Sequence, residues 1–229
     1  MTDFSKVWKI GDIDWKYLSY GKVITALRIS EIISKHFDLS DTVFDLGCGA
    51  GGLSQFIDHY VGLDLFWDAL LIAENTRALR DSQFVCGKSD FLPFNNSVAD
   101  VVLSVNMLEH TADPEAGIQE IFRICKKGGL IIIPCRDTFG FFYDPINYTR
   151  KLMGLEPIAR GAFGFGHINV LRKSEWKEII YKCGFTIESI EPYDDSLVGQ
   201  IEFSLFSLLM PKSDHEDIPQ KIISGKNFK

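Results

Sequence analysis

From Thr42 onward, short apolar, β-rich runs alternate with stretches whose apolar positions fall at helical spacing. The runs cover residues 42–46, 60–63, 84–86, 100–105 and 130–134, and this alternation predicts βαβ units wound into a parallel sheet. Before residue 40, Val23, Leu27, Ile29, Ile32, Ile33 and Phe37 follow helical spacing and predict a packed helix leading into the core. Asp113-Pro114-Glu115 supplies an N-cap, a first-turn proline and an acid at the positive helix end. Ile118, Ile121, Phe122 and Cys125 form the stripe of that helix, and Lys126-Lys127-Gly128-Gly129 is its expected stop. Ser174 is the expected cap of a later helix that buries Trp176, Ile179, Ile180 and Cys183 and halts at Gly184. The runs 185–190 and 198–210, with Pro192 to Ser196 between them, predict a closing hairpin. The expectation is an α/β, doubly wound, mostly parallel sheet of seven strands with a terminal antiparallel hairpin and helices on both faces.

Composition narrows the class. The chain has 229 residues, 46% hydrophobic and 24% charged, enough for one sizeable core. A single domain over 1–210 is expected, with a helical cap at 1–39, an insertion at 136–171 and a loosely held tail at 211–229. The net charge of -7 offers no field that would gather phosphate backbones, so nucleic acid is not an expected partner. Cys48, Cys86, Cys125, Cys135 and Cys183 are scattered and odd in number, which fits reduced, buried thiols rather than a zinc site or disulfide framework. The first residues lack a basic-then-apolar pattern, and no apolar run reaches the roughly 20 residues of a membrane span. A cytoplasmic protein without an integral membrane segment is expected, and its oligomeric state is not written in the pattern.

Candidate chemistry begins where the first strand ends. Val43-Phe44-Asp45-Leu46-Gly47-Cys48-Gly49-Ala50-Gly51-Gly52 reads as strand, tight turn and the start of a helix at 53–57. Glycines there let the turn visit dihedrals closed to other residues and leave room for a ligand against the backbone. N–H groups at the helix start are expected to meet an anionic group. The spacing Gly47, Gly49, Gly52 also satisfies the dinucleotide fingerprint, with Asp64 as ribose acid in either case. Three carboxylates, Asp45, Asp64 and Asp90, at successive strand ends suit a cationic ligand better than a pyrophosphate. Against this stand the plainer roles: Asp45 and Asp64 as helix caps, Asp90 as a turn residue, Phe91 and Phe94 as core, and Asp100 as structural.

Taken in order, Asp45 to Gly51, Val61-Gly62-Leu63-Asp64, Ser89-Asp90-Phe91-Leu92-Pro93-Phe94, Ala99 to Ser104, Asn106-Met107-Leu108-Glu109-His110 and Lys127-Gly128-Gly129-Leu130 resemble the class I, type 11 methyltransferases. That family includes ubiquinone- and menaquinone-type enzymes and many small-molecule O- and N-methyltransferases. The resemblance spans roughly residues 40 to 135 and implies a Rossmann-like fold and S-adenosylmethionine as cofactor. It implies that Gly47, Cys48, Gly49 and Gly51 face the methionine part, Asp45 its ammonium and Asp64 the ribose hydroxyls. Leu65 would line the pocket, Asp90 would accept from the adenine N6, Phe91 would flank the ring, and Asn106 would close the wall after the fourth strand.

Methyl transfer needs an in-line, close nucleophile and exclusion of water, with a base only where the acceptor must lose a proton. His110, Glu109 and His167 are the candidate bases. His110 and His167 are carried forward as catalytic candidates, each weighed against a structural role. The insertion holds aromatics including Phe139, Phe141, Phe142, Tyr143 and Tyr148, and arginines at 136, 150 and 160. Arg136, Tyr143 and His167 are its candidate substrate contacts; a satellite core is the plainer alternative. The expected partner is a small-molecule substrate and no metal is expected. A non-catalytic S-adenosylmethionine-binding module and an NAD(P)-dependent oxidoreductase are the competing classes.

Overall fold

The computed structural model describes residues 29, 31–33, 38, 40–76, 81–136, 145–156, 168–169, 171–192 and 203–209. Five strands, β1 (Val43–Leu46), β2 (Tyr60–Asp64), β3 (Gln83–Cys86), β4 (Ala99–Leu103) and β5 (Cys125–Arg136), lie side by side in the order β3-β2-β1-β4-β5. All four pairings are parallel. Beside β5 pairs β7 (Phe203–Leu209), antiparallel to it, and beside β7 pairs β6 (Thr186–Pro192), antiparallel in turn. The helices with described bounds are α1 (Trp67–Thr76), α2 (Pro114–Ile124), α3 (Pro145–Leu152) and α4 (Lys173–Lys182), and residues 29 and 31–33 are helical as well.

The central strands read as unbroken apolar runs because both faces of the sheet are covered. Phe44, Val102, Ile131 and Ile133 point one way, into a core with Ile118, Ile121 and Ile124 of α2 and Trp176 and Ile180 of α4. Their neighbours Val43, Val101, Leu103, Leu130 and Ile132 point the other way and meet Ile29 and Ile32. The period-two alternation thus feeds two cores, and truncating a fully buried isoleucine such as Ile121 costs about 2–5 kcal/mol.

Asp113 caps α2 as expected, its Oδ1 accepting from Ala116 N at 3.0 Å with Pro114 next. The expected stop differs. The helix ends at Ile124, and Lys126 to Gly129 belong to β5, because Cys125 pairs with Ala99 and the Lys126 ammonium sits 2.8 Å from Asp100. Asp100 also accepts from Thr42 N at 3.0 Å, the structural role expected of it. Ser174 is not the cap of α4. The cap is Arg172, whose N–H is taken by the Glu175 carboxylate at 2.7 Å, while Trp176, Ile180 and Cys183 are buried as the pattern required. Among the thiols, Cys125 and Cys183 are buried, whereas Cys86 is exposed at the sheet edge, against the expectation for it. The segment 53–57 forms no α-helix. It is a single 3-10 turn, Gly52–Gln55, entered through Gly51 at φ 68°.

The boundaries of the cap, insertion and tail fall largely on residues outside those described. Within the insertion, α3 ends at a turn in which Gly154 has φ 67° and Leu155 N donates to Arg150 O at 2.9 Å.

Candidate functional site

β1 and β4 are neighbours although β2 and β3 lie between them in the chain, so the winding reverses between these two strands. A crevice forms at the carboxyl ends of strands at such a reversal, since the loops leaving them turn to opposite sides. Here the loops are the glycine turn after β1 and the segment 104–110 after β4. Their approach is close: a Cβ on Gly47, which has φ 80°, would lie 2.6 Å from the Cβ and Cγ of Met107. Only glycine satisfies both the dihedral and that contact.

The turn is tied to β2 by its own amides. Gly47 N and Cys48 N both donate to Leu63 O, at 2.7 and 3.0 Å, and Gly49 N donates to Asp64 Oδ2 at 2.8 Å. The other Asp64 oxygen accepts from Phe66 N at 2.9 Å. The expectation of an α-helix start after the turn is therefore corrected. Three consecutive turn amides are already engaged, and the element after them is one 3-10 turn rather than a helix with a dipole.

Negative charge dominates instead. Asp45 is 2% exposed, and its Oδ2 accepts from the Tyr60 hydroxyl at 2.5 Å. Burial first, and then the charges of Asp45 and Asp64, push the Cys48 thiol well above its ordinary value. Burial and then Asp45 likewise hold the Tyr60 phenol protonated far above its usual range. Burial is the larger cause in both, and the neighbouring Asp45 and Asp64 carboxylates, as charges at the glycine turn, favour a cation and oppose a pyrophosphate. At Gly49 the side-chain position opens on space, with nothing within 4 Å. These features fit a cationic ligand laid along the turn.

The remaining expected contacts lie on the segments that follow β2, β3 and β4. Leu65 follows β2 and is exposed, as are Phe66 and Trp67. Asp90 is exposed in the turn after β3, and Phe91 is 81% exposed, so the core role weighed for Phe91 is overturned. Phe94 is partly buried and meets Phe44 edge-on at 4.9 Å. Asn106 is exposed with φ 50°, and His110 is exposed at the end of the 3-10 turn Leu108–His110, while Glu109 is buried.

On the acceptor side Arg136 is described only as backbone, paired with Phe203, and Tyr143 and His167 lie outside the described residues. The residues directly after His167 are firmly placed. Ile168 N and Asn169 N both donate to Glu109 O, at 2.8 and 2.9 Å, and the Asn169 amide donates to Thr111 O. This clip brings the end of the insertion onto the turn that carries His110. Nothing in the sequence pattern marks Tyr60 or Asn169, whose partners are distant in the chain. Glu120 and Arg123, which grip the loop after Asp90, carried only the weak signal of opposite charges three apart on a helix.

Among known proteins, the family described as a methyltransferase domain matches residues 44–133. An uncharacterized protein of Methanocaldococcus jannaschii is 30% identical over 177 residues, covering 69% of each chain. A ubiquinone biosynthesis O-methyltransferase of Colwellia psychrerythraea is 29% identical over 137 residues, 56% of this chain and 54% of that one. The fold is similar to that of a SAM-dependent methyltransferase from Methanosarcina mazei, with a TM-score of 0.61 at 18% identity over 80% of this chain and 98% of the other.

Proposed function

The chain belongs to the class I, type 11 S-adenosylmethionine-dependent methyltransferases, and from that premise we propose that it methylates a small, largely apolar acceptor at an oxygen, nitrogen or carbon nucleophile. The observation that carries the donor half is the negative glycine turn, with its amides engaged by Leu63 and Asp64 and its Gly49 position open. Carboxylates at the turn repel a pyrophosphate, which weighs against the oxidoreductase alternative.

When bound, the cofactor supplies a methyl carbon activated by its sulfonium. The chain's part is to bind, align and keep water out. Gly47 and Gly49 let the ligand lie against the turn, Asp45 places negative charge beneath its cationic groups, and Asp64 turns its remaining lone pairs to the ribose hydroxyls. Leu65 and Phe91 flank the adenine, Asp90 accepts from its amine, Cys48 and Gly51 belong to the turn that holds the methionine part, and Asn106 closes the wall after β4. His110 takes the acceptor's proton, with His167 as the second candidate, next in the chain to the clip of Ile168 and Asn169 on Glu109.

The acceptor side supports an apolar substrate. Ile146, Leu152, Met153 and Leu155 on and after α3 are exposed, as surfaces awaiting apolar cover are. Relatives named for ubiquinone and 2-methyl-6-phytyl-1,4-hydroquinone methylation make a quinone-like or lipid-linked acceptor the first to try, and a sugar-derived one the second. Arg136 and Tyr143 are assigned to the acceptor within a 136–171 segment that serves as its lid. A single domain over 1–210, closed by the seven-stranded sheet with its antiparallel hairpin, goes with this reading, as do a 1–39 cap, a 211–229 tail and a cytoplasmic location. No helix among the described residues is long and apolar enough to cross a membrane.

Titration calorimetry with S-adenosylhomocysteine and with reduced nicotinamide dinucleotide tests the donor half. Binding of the first alone is expected, and binding of the second alone ends the reading. Transfer of a labelled methyl group to phenolic quinol analogues, reduced or abolished in His110→Ala, tests the acceptor half. Transfer at full rate in that variant removes His110 from the mechanism.

A further inference from the structure

The loop from Asp90 to Asn96 poses a physical problem. It must present Asp90 and Phe91 at the carboxyl edge of β3, yet both are exposed, so no core packing holds them. Its local support is slight: a single antiparallel bridge between Lys88 and Phe91, with Phe91 N reaching Lys88 O at 3.4 Å. Order begins one residue later. Leu92 is buried, and both of its backbone polar groups are taken by one pair of side chains on α2.

Glu120 Oε2 accepts from Leu92 N at 2.8 Å. Arg123 Nη2 donates to Leu92 O at 3.0 Å, and Nη1 donates to Phe94 O at 2.7 Å and to Asn96 Oδ1 at 2.9 Å. The guanidinium also bonds Glu120 twice, through Nε and Nη2, at 2.7 Å each. A guanidinium has five N–H donors, and these bonds use every one in the fixed planar fork that only arginine offers. The i, i+3 spacing puts both residues on one face of α2. The Glu120 carboxyl is held below its ordinary range chiefly by the Arg123 hydrogen bonds, so the pair stays charged at neutral pH.

A surface ion pair alone contributes little to stability. This one directs most of its donors to loop carbonyls, a poor use if stability were the object and a good one if the loop must be held in one shape before a ligand arrives. Ordering a loop at the moment of binding weakens affinity, and preorganisation removes that cost.

We propose that Glu120 and Arg123 are positioning residues for the cofactor: their clasp on Leu92, Phe94 and Asn96 fixes the loop that offers Asp90 and Phe91 to the adenine. The inference rests on the assignment of Asp90 and Phe91 made above, and the test separates the two. S-adenosylhomocysteine affinity is measured by calorimetry for the full chain and for Arg123→Lys, Glu120→Gln, Asp90→Ala and the Asp90→Ala/Arg123→Lys double variant. Hydrogen exchange at residues 90–96 is followed without ligand. Arg123→Lys keeps the charge and the stem but lacks the fork.

Arg123→Lys and Glu120→Gln are each expected to weaken binding about tenfold and to speed exchange in 90–96 with little change at β1 or β4. The double variant is expected to bind no more than about twofold worse than the weaker single one, since both changes act on one contact. Full affinity in Arg123→Lys beside a weakened Asp90→Ala overturns the clasp and spares the adenine assignment. Full affinity in Asp90→Ala overturns the assignment, and the proposal with it. Effects that multiply in the double variant place Arg123 on a different path and also overturn the proposal.

Discussion

The two halves of this site are held differently. On the donor side the backbone is pinned at nearly every step: Gly47, Cys48 and Gly49 are bonded to the end of β2, Gly51 N donates to Cys48 O at 3.0 Å, and Met107 fills the space over Gly47. On the side proposed for the acceptor, Leu152 at the end of α3 and Met153 just after it are 71% and 68% exposed, and the described connection to the site runs through Ile168 and Asn169 on the turn of His110. A preorganised turn favours a ligand of one shape, whereas exposed apolar side chains accept whatever apolar group covers them. The contrast explains why the methyl donor is readable from this molecule and the acceptor is only bounded by it.

Breaking the donor half should have the largest effect. Gly47→Ala forces a side chain into Met107 at a left-handed dihedral; a loss of S-adenosylhomocysteine binding beyond detection is expected, with about 2–4 kcal/mol of stability lost in urea titration. An alanine variant that binds normally would show the turn to be looser than its geometry. Asp64→Ala removes the acceptor of Gly49 N and Phe66 N together with the ribose contact proposed for it. About a hundredfold weaker binding is expected by calorimetry, with the fold retained by circular dichroism.

High pH reaches the core beneath both halves. Burial pushes the Cys125 and Cys183 thiols up to about 12 from an ordinary 9.0, and Tyr60 is raised as well. Above pH 9 the unfolded chain releases thiol protons that the folded chain keeps, so deprotonation favours unfolding. Stability from these groups is intact below pH 9 and falls as the pH climbs toward the folded values, by up to about 1.4 kcal/mol per unit per thiol. Urea midpoints from pH 7 to 11 should be flat and then decline, and Cys183→Ala should lessen the slope.

The acceptor half should answer more gently. Asn169→Ala removes the side-chain bonds to the Leu108 and Thr111 carbonyls and is expected to open 168–171 by about 1–2 kcal/mol in hydrogen exchange. S-adenosylhomocysteine affinity should stay within twofold, and a larger loss would mean that the two halves are not separable. Smallest of all, Leu152→Ser should change stability by less than about 0.5 kcal/mol, as exposed side chains do, while lowering transfer to an apolar acceptor.

Local pattern carried the strands because both faces of the sheet need apolar residues, and it carried the cap of α2 because Asp113-Pro114 satisfies helix-end chemistry within one turn. It carried the glycine turn and Asp64 for the same reason, since a strand, a tight turn and an acid at the next strand end are local arrangements. It misplaced the end of α2 because Lys126 answers to Asp100, a partner 26 residues away that competes with any stop signal nearby. It overestimated the helix after Gly52 because a glycine-rich start leaves the backbone free to tighten into a 3-10 turn.

The amino-acid sequence alone determined a mostly parallel α/β sheet, a glycine turn after its first strand and carboxylates in or shortly after three of its strands. Tertiary structure alone decided what those parts do to one another. It engaged the turn's amides with β2, buried Asp45 against Tyr60, seated Met107 where a Cβ on Gly47 would lie, and put Glu120 and Arg123 behind the loop of Asp90. Each of those contacts joins residues far apart in the chain, and only the closing of the sheet brings them within the few ångströms over which hydrogen bonds and charges act.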